Sequence, residues 1–98
     1  MTGAEGLLGL CMRARRLVSG EERCVQSVRR GNACLVLLDA GASANAQKTL
    51  QDACGTHRVP LRRLPVGQLG QAIGKPGRMA AAVTDRGFAE RLMELIRE

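Results

Sequence analysis

Cys34–Leu38 (CLVLL) is an unbroken apolar run, too short for a core helix and bounded by Gly31-Asn32 before it and Gly41 after it. Successive side chains of a strand point to opposite faces of a sheet, so a run with no polar position reads as a central strand buried on both sides. Helical periodicity on either side supplies the covering layers. Ala4 to Leu17 carries Leu7, Leu8, Cys11, Ala14 and Leu17 at helical spacing, with Val18 continuing the stripe. Glu21-Glu22 opens a second helix at the dipole end that favours acids; Cys24, Val25 and Val28 form its inner side and Gly31-Asn32 stops it. A third helix is capped by Ser43 or Asn45, turns Ala46, Leu50, Ala53 and Cys54 inward, and ends at Gly55.

The remaining chain repeats the alternation. Val59 to Leu64 reads as a strand with Pro60 near its start, Leu69 to Ile73 as a short helix, and Met79 to Thr84 as a strand weakened by three alanines. Gly87 to Arg97 closes as a helix with Phe88, Leu92, Leu95 and Ile96 inward. Strands alternating with helices predict an α/β fold in which helices pack on both faces of one sheet. The 98 residues suit one domain spanning 1–98.

Several function classes are disfavoured. Four cysteines (Cys11, Cys24, Cys34, Cys54) form no CxxC pair, and the sole histidine, His57, lacks the partners of a zinc site, so the thiols read as small core hydrophobes and no metal is expected. Gly74-Lys75 fails as a phosphate loop, because Leu69 stands where the first glycine is needed and Pro76 where a hydroxyl must meet the metal ion. Asp39, Asp52 and Asp85 have no companions that would make a catalytic set. No 18-residue apolar run could span a membrane, and Leu7–Met12 is shorter than the core of a secretion signal, so a reducing cytoplasmic setting is expected.

Charge points the other way. The net charge is +6, and thirteen of the fifteen basic residues are arginine, the side chain that pairs bidentately with phosphate and guanine. Phe88 is the only aromatic residue, which leaves no platform for stacked bases; any nucleic acid must be held by charge, hydrogen bonds and shape. Arg13, Arg16, Gly20, Arg23 and Gln26 are expected to meet at one helix end, where a glycine turn exposes backbone N–H groups to an anion or base edge. Arg58, Arg62, Arg63, Arg91 and Arg97 read as solvated surface.

The order of motifs resembles the YlxQ-like bacterial branch of the L-seven-Ae/L-thirty-e ribosomal-protein superfamily. The likeness rests on LLGLCMRARRLVSGEE (Leu7–Glu22), VRRGNACLVLL (Val28–Leu38), LGQAIGKPGR (Leu69–Arg78) and AVTDRGF (Ala82–Phe88). It implies a three-layer α-β-α sandwich around a small four-stranded mixed sheet, with a very short first strand near Leu17–Ser19. It implies a non-catalytic protein without cofactor whose partner is structured RNA, a kink-turn or ribosomal element. Arg13, Arg16, Lys75 and Arg78 would then contact phosphates, and Gly20 would let the backbone approach. Arg23 and Gln26 would read or clamp bases, and the loop from Gly74 to Met79 and Ala80 would pack on an extruded one. The family's kink-turn readers carry Asn, Glu and Lys where Glu22, Arg23 and Gln26 stand here, so Glu22 can only accept hydrogen bonds. Gly41 also stands where the branch has an Asp before the third helix. The alternative on the same fold is a protein-interaction adaptor that has lost the kink-turn site.

Overall fold

A computed structural model describes residues 3–96 of the chain. Its elements are α1 (Gly3–Arg13), β1 (Leu17–Ser19), α2 (Glu21–Arg29), β2 (Leu35–Asp39), α3 (Ala44–His57), β3 (Leu61–Leu64), α4 (Gln68–Ile73), β4 (Ala80–Val83) and α5 (Arg86–Leu95). The sheet order is β1-β4-β2-β3, with β4 antiparallel to both neighbours and β2 parallel to β3.

The apolar run does what its pattern requires. Leu35 and Leu37 face one side, into a cluster with Leu8, Cys11, Leu69 and Leu92 from α1, α4 and α5. Val36 and Leu38 face the other, against Cys24, Val28, Leu50 and Cys54 from α2 and α3. The result is the three-layer α-β-α sandwich. The alanine-rich strand is central rather than marginal: β4 is hydrogen-bonded on both sides, and Ala80 and Ala82 pack in the α2–α3 layer. Pairing on both edges outweighs the weak strand preference of alanine.

Two helix ends differ from the sequence reading, for one shared reason. The helical spacing extends the first helix to Leu17 and Gly55 reads as the stop of the third, yet α1 ends at Arg13 and α3 runs through Gly55 to His57. Each closes with an arginine in the left-handed conformation, Arg15 at φ 59° and Arg58 at φ 57°. The next residue's N–H then reaches five residues back, Arg16 to the Cys11 carbonyl at 3.0 Å and Val59 to the Cys54 carbonyl at 2.9 Å. In α2 and α4 the same turn has Gly31 and Gly74 in that seat. Leu17 therefore belongs to β1, and Ala14 is exposed rather than on the buried stripe. In the last helix Asp85 caps the start by accepting from the Phe88 N–H at 2.9 Å. Leu95, expected inside, is 47 % exposed, and Arg97 lies outside the described residues.

Candidate functional site

β1, β2 and β3 point the same way, so their carboxyl ends gather at one edge of the sandwich with the α4–β4 loop. Crevices at such strand ends are where α/β sheets bind ligands. Asp39, at the end of β2, organises this edge. Its carboxylate is buried and accepts from the Gly41 N–H and the Gly67 N–H, each at 2.7 Å, tying the turn before α3 to the turn before α4. Its own N–H donates to the Met79 carbonyl at 2.8 Å and holds the third loop. The sequence reading set Asp39 aside as a catalytic acid; here it is a clasp. An acid closing an otherwise apolar strand is the signal that marks it.

Gly20 occupies the turn between β1 and α2. Its N–H donates to the Ala80 carbonyl at 2.9 Å, which pins the start of α2 beside the first residue of β4. Its backbone, φ 102° and ψ 146°, lies where side chains are excluded, and a Cβ there would come within 2.9 Å of the Arg78 guanidinium. The missing side chain lets Arg78 lie across the amino end of α2. The resulting depression, about 380 Å³, is lined by Ser19, Gly20, Glu21, Glu22, Arg23 and Arg78. Exposed acids and guanidiniums stand side by side around free helix N–H groups, since no side chain caps α2. Inside α2, burial pushes the Cys24 thiol up to about 12, with Cys54 and Glu21 adding to the rise and Arg78 opposing it.

Of the residues singled out in the sequence, the structure brings together Gly20, Glu22, Arg23 and Arg78. Gln26 is exposed one turn along α2, on the same outer line as Arg23. Gly74 and Lys75 open the loop that leads to Arg78, and Met79, 40 % exposed, sits at the strand edge beside Asp39. Ala80 is 2 % exposed; its side chain lies in the core, and only its carbonyl serves the site.

Arg13 and Arg16 do not join the cluster. The Arg16 carbonyl accepts from Thr84 N–H at the opposite end of the β1–β4 pair from Gly20. Four residues of extended chain separate Arg16 from Gly20 by about 13 Å, where a continued helix would have left about 6 Å.

Two residues were missed. Val66 is 74 % exposed beside Gly41 on the same edge as Met79, an apolar residue in a Pro-Val-Gly turn. Gly70 is buried in α4, where a Cβ would come within 2.8 Å of the Lys75 carbonyl and 3.2 Å of the Gly77 nitrogen. Its bare Cα seats the loop that carries Arg78.

The profile of the family described as "Ribosomal protein L7Ae/L30e/S12e/Gadd45 family" matches residues 3–93. The RNA-binding protein YlxQ of Bacillus subtilis (strain 168) is 43 % identical over 99 residues, covering 98 % of this chain and 99 % of that one. The RNA-binding protein YlxQ of Enterococcus faecium is 37 % identical over 94 residues, covering 95 % and 90 %. Among solved structures, a protein of unknown function from Bacillus halodurans C superposes over 100 % of both chains, with TM-score 0.95 and 39 % identity. The Giardia lamblia 15.5kD RNA binding protein, at TM-score 0.72 and 21 % identity over 94 % of this chain and 86 % of that one, shares the fold. Among the described residues no helix is long and apolar enough to cross a membrane.

Proposed function

The chain belongs to the ribosomal protein L7Ae/L30e/S12e/Gadd45 family, and on that premise we propose that it is a non-catalytic RNA-binding protein that grips a kinked RNA at the carboxyl edge of its sheet. The observation that carries this reading is the bare notch at Gly20, with Arg78 and Arg23 above free helix N–H groups and Glu22 beside them. A guanine offers O6 and N7 as acceptors and N–H groups as donors, so guanidinium and carboxylate together fit its edges better than they fit a phosphate alone. Regular A-form RNA hides those edges in a narrow groove, whereas a bent internal loop exposes them. Met79 and Val66 then offer apolar cover for a base turned out of the stack, in a chain with no exposed aromatic to stack it.

Lys75 and Arg78 meet phosphates near the bend, Arg23 and Gln26 read or clamp the bases, and Arg13 and Arg16 meet phosphates further along the β1 edge. With about five phosphates neutralised, the logarithm of the affinity falls against the logarithm of salt with a slope of roughly −3.5 to −4.5. The deciding measurement is a pair of binding isotherms, one with a kink-turn RNA and one with a straight duplex of equal length. Preference for the bent RNA, reduced by Arg78→Ala, supports the reading; equal affinity for both refutes it.

A further inference from the structure

The opposite end of the sheet carries a second concavity. A groove of about 410 Å³ lies where α2 and α3 finish and α5 begins, within the size range of small binding pockets. Its lining is mixed: Val59, Met93 and the half-buried Cys34 supply apolar surface among more polar groups. Exposed His57, Arg58 and Arg86 stand on its rim, with Glu90 as the opposing acid. Local structure does not explain this charge. Arg58 holds the left-handed seat that glycine fills in α2 and α4, a backbone conformation that side-chain-bearing residues rarely adopt. Arg86 lies in the first turn of α5, where the helix dipole is already positive.

We propose that this groove binds an acidic protein segment carrying an apolar anchor. The anchor packs against Val59 and Met93, and its flanking carboxylates pair with Arg58 and Arg86. The groove and the Gly20 notch lie at opposite ends of β2, about 17 Å of strand apart, so both can be occupied together and the molecule can bridge an RNA to a protein.

The test uses a fluorescein-labelled peptide of alternating Asp and Leu, with an alternating Lys and Leu peptide as control. Fluorescence anisotropy should rise with the acidic peptide only. The double variant Arg58→Gly, Arg86→Glu should weaken binding by roughly tenfold or more. Arg58→Gly eases the helix end while removing the charge, so a weaker isotherm does not report a damaged fold. Iodoacetamide supplies an independent readout. Cys11, Cys24 and Cys54 are buried, with burial pushing them up to about 11, 12 and 11, which leaves Cys34 as the thiol that reacts. The acidic peptide should slow its alkylation several-fold. Binding that ignores the two arginines overturns the proposal, as does protection of Cys34 by RNA but not by the peptide.

Discussion

Replacing either of two helical glycines by alanine should move stability in opposite directions. Gly6 lies in α1 with nothing within 4 Å of the position its Cβ would take. Alanine there gains helix preference with no steric cost, about 0.5–1 kcal/mol. Gly70 gains the same preference in α4, but its Cβ would press on the Lys75 carbonyl at 2.8 Å and on Pro76 Cα at 3.2 Å. Both contacts are backbone, and the Lys75 N–H is itself bonded to the Gly70 carbonyl at 2.8 Å, so the loop cannot rotate aside as a side chain would. Overpacking of this kind costs about 1–3 kcal/mol. The net is a loss of about 1 kcal/mol at Gly70 against a gain at Gly6, a gap near 2 kcal/mol. With about 4–8 °C per kcal/mol for a domain this size, the two midpoints should separate by about 8–16 °C in a thermal melt followed by circular dichroism. The shifted loop carries Arg78, so Gly70→Ala should also weaken kink-turn RNA while Gly6→Ala leaves it unchanged. Equal stabilisation by the two substitutions would refute the claim that Gly70 seats the loop.

Other substitutions isolate single contacts. Asp39→Ala strips partners from the Gly41 and Gly67 N–H groups and should cost about 2–4 kcal/mol in urea unfolding. Arg15→Gly should stabilise by about 0.5–1 kcal/mol by filling the left-handed seat with the residue suited to it, read as a higher urea midpoint. Gly20→Ala should cost about 1–3 kcal/mol from its backbone conformation and reduce RNA affinity by displacing Arg78. Alkaline pH should destabilise the fold: the unfolded thiols ionise near 9, whereas burial raises Cys11, Cys24 and Cys54 to about 11, 12 and 11. Stability is full below pH 9 and falls from there to about 12, as the unfolded state sheds protons first. Urea midpoints between pH 8 and 11 check the sign, and a flat profile contradicts it.

Much of this protein is written locally in its chain. The run at Cys34–Leu38 dictates a central strand, because any strand without polar positions must be covered twice, and the periodicities of α2 and α5 name the faces that cover it. The Gly20 turn and the exposed line of Arg23 and Gln26 follow equally from spacing, since neighbours on one helix are set by its pitch alone. What spacing cannot give is which distant loops share an edge. Arg78 comes to Gly20 only because β4 inserts between β1 and β2, a long-range pairing that no local pattern records. The same pairing draws β1 out as a strand and carries Arg16 away from the site that a longer α1 would have given it. Arg15 and Arg58 end helices without glycine because hydrogen bonds and packing fixed elsewhere overcome a strain of about 1–2 kcal/mol apiece. Asp39 becomes a clasp for the same reason: its partners, Gly41 and Gly67, are two residues and 28 residues away, and only the folded sheet edge brings both N–H groups to one carboxylate.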